Sequence, residues 1–286
     1  MPLTVFMYHR VLPRRIPGAL TVEEFERSLD HLERHYRMLP AAEVEDFITG
    51  ARRYRGNYAA LSFDDGYLDN LLFAAPVLKR RGLTALLAVS AGPLRDGEVR
   101  DSGSDDVLYR SADEACAAWR SGDCSSFLNR AELRAMQDSG VWRLEPHGTR
   151  HELGAAGFSL QSCPQNGMDE AAFREFLAAD LDNAQRELSA ITGRRHRMFF
   201  WPWGHYSRAA IEVARDRGLD IQFTVTKGVV RNGDARRVLP RIGVSPRYKK
   251  FVRNCFVFRH PALAVIHDLF GRVRVDADRG PKRSGA

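Results

Sequence analysis

Three short clusters concentrate the residue types that hold metal ions and move protons. Ser62-Phe63-Asp64-Asp65-Gly66-Tyr67 sets two carboxylates side by side. Neighbouring carboxylates are costly to keep ionised unless a cation neutralises them. Glu145-Pro146-His147-Gly148-Thr149-Arg150-His151 spaces two imidazoles four residues apart, able to converge on one ion. Phe200-Trp201-Pro202-Trp203-Gly204-His205-Tyr206 is a Pro–aromatic–Gly corner, which can stiffen a loop and aim a backbone N–H into a cavity. Taken singly, each has a plainer reading: helix-capping acids, solvated loop histidines, a tight turn with core aromatics. His31 and His35 show why spacing alone is insufficient. They too are four apart, but they flank the apolar Phe25/Leu29/Leu32 face among Glu33, Arg34 and Arg37, and read as a solvated helix edge. His196, His260 and His267 have no evident partner.

The elements that position these clusters follow from hydrophobic periodicity. Apolar runs of strand length fall at Leu3–Val11, Ala59–Phe63, Thr84–Ser90, Val141–Glu145, Met198–Trp201, Ile221–Thr226 and Val238–Val244. Helical patterns lie between them. Thr21 and Glu24 have capping-box spacing ahead of the Phe25, Leu29, Leu32, Tyr36 stripe. Further helices are expected over Asp69–Arg81, from Asn129 to Ser139, from Asp169 to Ala190 with a stop at Gly193, and over Ser207–Arg217. Strand–helix alternation implies a parallel sheet. With about seven strands and no phosphate-binding glycine fingerprint, the expected fold is a distorted (β/α) barrel of class α/β. The Gly-, Ser- and Asp-rich stretch Gly92–Phe127 is too long for a simple connection and reads as an excursion near the active site.

On this layout Tyr8-His9, Asp64-Asp65, His147/His151 and Pro202-Trp203 all fall at the carboxyl ends of parallel strands. That rim is where β/α barrels build active sites. One carboxylate with two histidines leaves positions open on an ion for water and substrate, as catalytic zinc requires.

Composition narrows the classes. At 286 residues, with 44% apolar and 28% charged residues, the chain suits one large globular domain. Apolar runs such as Ala85–Ala91 are far short of a membrane span, and Met1 leads directly into a strand rather than a secretory leader, so a cytoplasmic protein is expected. Cys116, Cys124, Cys163 and Cys255 form no metal-binding pair and read as reduced thiols, a Cys116–Cys124 disulfide being the alternative. Eleven Lys and Arg against three Asp from Arg241 onward place a surplus of eight positive charges there, within a net charge of +7. The expected organisation is therefore a catalytic domain over residues 1–244 and a basic appendix over 245–286. Such an appendix seeks an anionic membrane surface or lipid-linked sugar, and no nucleic-acid partner is expected.

Together the clusters resemble those of the polysaccharide deacetylases, carbohydrate esterase family four, also called the NodB-homology domain. The likeness runs from about Leu3 to Val244. It implies a metal-dependent hydrolase that removes N-acetyl groups from an N-acetylhexosamine-containing glycan. By that resemblance Asp64 is the general base, Asp65, His147 and His151 hold one divalent ion (zinc, with cobalt or nickel as alternatives), and Trp203 lends its N–H to the oxyanion. Pro202 and Gly204 shape that corner, and Tyr67, Trp201, Trp203 and Tyr206 could stack on sugar faces. Two family features are absent: the Arg that precedes the Pro of the third motif, and the late Leu-x-His that carries the general acid. Arg241, in Leu239-Pro240-Arg241-Ile242, is a candidate for the first role. For the second, Phe6-Met7-Tyr8-His9-Arg10-Val11 resembles an early Tyr-His motif of the subgroup acting on β-1,6-linked poly-N-acetylglucosamine, which assigns the acid to His9 over His205. Two competing readings are a non-haem iron oxygenase, whose facial triad has the same ligand types, and a catalytically impaired sugar-binding protein.

Overall fold

The computed structural model describes residues 2–154, 157–164, 167–236, 238–260 and 262–264. In chain order the elements are β1 (Pro2–Tyr8), β2 (Arg10–Leu12), β3 (Ala19–Thr21), α1 (Val22–His35), β4 (Arg37–Met38), α2 (Val44–Thr49), β5 (Tyr58–Phe63), α3 (Ala75–Arg81), β6 (Ala85–Val89), α4 (Asp105–Leu108), α5 (Ala112–Arg120), α6 (Arg130–Asp138), β7 (Trp142–Pro146), α7 (Glu170–Thr192), β8 (Met198–Phe200), α8 (Arg208–Asp216), β9 (Ile221–Phe223), β10 (Val230–Arg231), β11 (Val238–Leu239), β12 (Ile242–Gly243) and α9 (Tyr248–Arg259). One sheet runs β10-β1-β5-β6-β7, with β12 added to β1 and β4 to β5, and a second runs β11-β9-β8. Every ladder in them is parallel except β1–β10. The two sheets curl into one distorted, incompletely closed α/β barrel, a single domain of the expected class.

Strand alternation sorts the side chains. Leu3 and Val5, Ala60, Leu86 and Ala88, Met198 and Phe200 point inward and form one apolar cluster with α2. Phe6, Tyr8, Leu61, Phe63 and Leu87 point outward and are covered by α1, α3, α6 and α9. Asp64 continues the inward series of Ala60 and Ser62, so its carboxyl enters the barrel at the rim.

Helix starts obey local chemistry. Thr21 and Glu24 complete the capping box of α1, Asn129 and Glu132 that of α6, and Asp169 caps α7, which stops at Gly193 in the left-handed conformation.

Two expected strands are broken, and both breaks serve the rim. The first run ends at Tyr8. Arg10–Leu12 pairs with β3 instead, because Arg10 turns to Asp69 (2.7 Å) and to the carbonyl of Leu108 (2.6 Å), while Val11 N–H donates to Asp69 (3.0 Å). His9 is thereby released from the ladder. The last run divides at Pro240, which has no N–H to give to a ladder. Residues 238–239 pair with β9, whereas 242–243 pair with β1, so Pro240-Arg241 crosses the seam between the two sheets. The helix expected from Asp69 opens as a π turn over Asn70–Ala74 before α3, and Asn70 uses its amide to hold the His9 carbonyl at 2.8 Å.

Beyond Val244 the chain is not featureless. α9 buries Phe251, Asn254, Cys255 and Phe258, and the Tyr36 hydroxyl donates to the Cys255 carbonyl at 2.8 Å. His267 and the terminal cations Arg272, Arg274, Arg279, Lys282 and Arg283 lie outside the described residues. Among the described residues no helix is long and apolar enough to cross a membrane. All four cysteines are free thiols.

Candidate active site

The rim gathers residues from four strand ends. β1 and β5 run in register to Tyr8 opposite Phe63, and Asp64 N–H donates to the Tyr8 carbonyl at 3.1 Å. His9 and Asp64 therefore leave their strands side by side. Both line a cavity of about 410 Å³ with Asp65, His147, His151 and Trp203, a volume within the range of small-ligand sites. The far wall is α5, from the excursion expected near the site. Its Asp113, Cys116 and Arg120 face the cavity, while Ala115 and Trp119 anchor it against Tyr67 and Phe127. Burial and the nearby Asp65 carboxylate push the Cys116 thiol up to about 11.

Asp65 adopts a left-handed backbone (φ 78°) just past the strand, a conformation Asp tolerates better than most residues. Its Oδ1 stands 3.3 Å from Nε2 of both His147 and His151. That oxygen is buried and has no hydrogen-bond partner. The three candidate ligand atoms lie within 4.8 Å of one another. An orphaned buried carboxylate oxygen facing two imidazole nitrogens is the donor set that a divalent ion satisfies. The Nδ1 of His147 is tied to the Phe200 carbonyl at 2.7 Å, which leaves the Nε2 lone pair directed at the site. That bond also spans the seam between β7 and β8, which share no ladder among the described residues.

Asp64 is matched to Arg241 across the other seam. The guanidinium bridges both carboxylate oxygens at 2.6 and 2.7 Å. It also reaches Ser62 Oγ and the Thr224 carbonyl, each at 3.3 Å, and lies 4.7 Å over the Phe200 ring. Arg241 is wholly buried and Asp64 only 2% exposed. Burial pushes Asp64 upward, but the Arg241 charge and hydrogen bonds, with His147, hold the carboxyl below its ordinary value. The sequence has no Arg before Pro202, and the arginine that stands against Asp64 comes from between β11 and β12.

The corner Pro202-Trp203-Gly204 is a tight turn with Trp203 left-handed (φ 59°) and 43% exposed at the rim. Its indole lies 5.2 Å from the His151 ring. Gly204 is obligatory: a Cβ there would stand 2.7 Å from the Val225 backbone nitrogen.

Several expected sugar-facing aromatics are placed otherwise. Trp201 is fully buried, with its N–H donated to Gln222 at 3.0 Å, and belongs to the core. Tyr206 packs against the α7–α8 cluster and does not line the cavity. Tyr67 does line it, but its ring is stacked on Phe127 at 5.0 Å with Arg10 over it at 4.6 Å. His205 lies outside the cavity lining, and its Nδ1 accepts from Ser159 N–H at 3.1 Å.

Residues that sequence reasoning passed over hold the histidine loop. Asp180, buried on α7, accepts from Thr149 N–H (2.9 Å) and Arg150 N–H (3.0 Å), and its own carbonyl accepts from Thr149 Oγ1 (2.7 Å). Gly148 (φ 85°) makes room, since a Cβ there would meet Gln161 and Asp180 at 3.0 and 3.1 Å. The available signal was a carboxylate on the buried Phe173, Leu177, Leu181, Ala184 stripe of α7. His196 does have a partner. Its Nδ1 meets buried Glu145 at 2.9 Å, and Arg194 and Arg143 reach the same carboxylate.

Comparison with known proteins identifies the family to which this fold belongs. The family model for polysaccharide deacetylase matches residues 51–221, more than half of the chain. The chain belongs to the polysaccharide deacetylase family. Its relatives include the YxkH protein of Bacillus subtilis (strain 168), 23% identical over 248 residues, which are 85% of this chain and 72% of that protein. The solved structure of IcaB from Ammonifex degensii is similar with a TM-score of 0.70 at 26% identity, covering 88% of this chain and 95% of that one. A de-N-acetylase from Aggregatibacter actinomycetemcomitans shares the fold, with a TM-score of 0.72 at 17% identity over 89% of this chain and 100% of that one. In this family member the Asp/His/His cluster lies at the barrel rim, in the cavity shared with His9 and Asp64.

Proposed function

We propose that this family member is a metal-dependent N-deacetylase that hydrolyses the acetamido group of an N-acetylhexosamine in a glycan. The observation that carries the reading is the pairing of an orphaned Asp65–His147–His151 donor set with a second carboxylate, Asp64, held ionised beside it. An oxygenase triad has no use for that second carboxylate.

Asp65, His147 and His151 would hold one divalent ion, zinc by its donor set, which lowers the pKa of a water and polarises the acetyl carbonyl. Asp64 is the general base. Arg241 occupies both of its oxygens and fixes the carboxyl plane, so that it takes the proton of the attacking water without rotating away. The N–H of Trp203, at a turn shaped by Pro202 and Gly204, would share the developing oxyanion. His9 donates the proton that lets the sugar amine leave. Asn70 fixes the His9 backbone, and His9 shares the cavity with Asp64. His205 is committed to Ser159 N–H and shapes the loop instead. Trp203, exposed at the rim, is the aromatic best placed to meet a sugar face.

Acetate release from N-acetylglucosamine oligosaccharides tests this. Activity should vanish on chelation and return with Zn²⁺ or Co²⁺. Asp64→Asn should retain the metal and lose turnover, whereas His147→Ala should lose both. A His147→Ala protein with full metal content would overturn the ligand assignment.

A further inference from the structure

Several exposed arginines of this protein are matched to carboxylates, Arg14 to Asp105, Arg80 to Glu26, Arg197 to Asp220 and Arg236 to Asp234, while others such as Arg34 and Arg134 stand singly among the described residues. One face instead gathers unpaired cations in a single concavity. Arg247, Lys249, Lys250 and Arg253 line a concavity with Tyr248 at the start of α9, and all four are exposed. Arg27 reaches the same place, its guanidinium 4.3 Å over the Tyr248 ring. Lys227 joins from the segment after β9. Burial first, then the charges of Lys250 and Arg253, lower its ammonium pKa. Among the described residues none of these six cations has an ion-pair partner, and no acid stands in the first turn of α9.

The cluster is held rigidly rather than displayed on a tail, because the opposite face of α9 is buried under Tyr36 and β1. Like charges gathered on one rigid face repel one another, and a bound anion would relieve this. Position indicates which anion. A smaller cavity lined by His9, Arg10, Gly18, Val244 and Pro246 shares its first three residues with the catalytic cavity. Pro246 directly precedes Arg247. A glycan with its acetamido group at Asp64 and Asp65 that leaves past His9, Gly18 and Pro246 would bring its next sugars toward the cations.

We infer that the substrate is an anionic glycan, one bearing phosphate, sulfate or carboxylate groups outside the acetylated sugar, and that Arg247, Lys249, Lys250 and Arg253 select it. This rests on the deacetylase reading and deepens it. An anionic bilayer would be drawn by the same cations, but the neighbouring small cavity that shares His9, Arg10 and Gly18 with the catalytic one favours a ligand that also enters the catalytic site.

The test compares a hexamer of N-acetylglucosamine with the same hexamer bearing O-sulfate esters, using the full metal-loaded chain. Binding is read by calorimetry and turnover by acetate release. The sulfated hexamer should bind roughly 10-fold or more tightly at low salt, an advantage that fades with ionic strength. In the triple variant K249A/K250A/R253A the affinity ratio should fall toward one, with the change in KM rather than kcat and an unaltered thermal transition. Equal binding of the two hexamers by the parent overturns the inference while leaving the deacetylase reading intact. Release of acetate from neither hexamer, with sulfate-dependent binding preserved, strikes the deacetylase reading alone. Salt-sensitive binding to phosphatidylglycerol-containing vesicles that is lost in the triple variant, without discrimination between hexamers, assigns the face to a membrane and also overturns the inference.

Discussion

Replacing Arg241 by Met keeps much of the side-chain volume over Phe200 and removes the charge. The structure sets the scale of the effect. Two charge-assisted hydrogen bonds of 2.6 and 2.7 Å disappear, and Asp64 is left as a carboxylate only 2% exposed with no cation of the chain bound to it. Removing one partner of a buried pair costs about 3–5 kcal/mol, because the other charge stays desolvated and unmatched. For a domain of this size that lowers Tm by roughly 10 °C. Turnover should fall ~10²-fold or more as the base loses its fixed plane, with metal content unchanged. Arg241→Lys, a point charge unable to bridge both oxygens, should lie between. The decisive comparison is the double variant Asp64→Asn/Arg241→Met, which buries no unmatched charge and should be more stable than Arg241→Met alone by calorimetry. If the double variant instead loses the sum of the two single effects, Asp64 and Arg241 are not energetically coupled and the bracing role fails.

Asp180→Ala leaves Thr149 and Arg150 N–H without their acceptor and frees the histidine loop, so zinc affinity should drop ~10–100-fold by competition titration; an unchanged affinity with only a lowered Tm would make Asp180 purely structural. His9→Ala should lower kcat ~10²–10⁴-fold with zinc affinity retained, whereas His205→Ala, which releases Ser159 N–H, should act mainly on KM; the reverse pattern would exchange the two roles. With its pKa pushed up to about 11, Cys116 has less thiolate at neutral pH than an ordinary thiol. Its alkylation by iodoacetamide, followed by peptide mass spectrometry, should therefore be slow at pH 7 and still be rising above pH 9, and its modification should block acetate release.

Local chemistry made much of this protein legible. The capping boxes at Thr21/Glu24 and Asn129/Glu132 form as spacing predicts, since both partners lie within one turn. Strand-end position gathered Asp64-Asp65 with His147 and His151, and the family resemblance singled out Asp65 as the ligand. Charge summation found a basic C-terminal surplus. It could not find that α9 is a packed helix with its cations on one face, because that depends on Phe251, Cys255 and Phe258 meeting α1 and β1.

What only the tertiary structure decided lies at the two seams of the barrel. His147 bonds to the Phe200 carbonyl 53 residues away, Glu145 to His196 at a separation of 51, and Asp64 to Arg241 at 177. No periodicity encodes such pairs. They arise because the two sheets fail to close by backbone ladders, and the buried polar groups left at each gap must find side-chain partners or remain unsatisfied. The same necessity placed Asp180 under the histidine loop and withdrew Trp201 and Tyr206 from the sugar-facing role their residue types suggest. Sequence determines which residues arrive at the rim; the packing of one sheet against the other determines which of them are free to do chemistry.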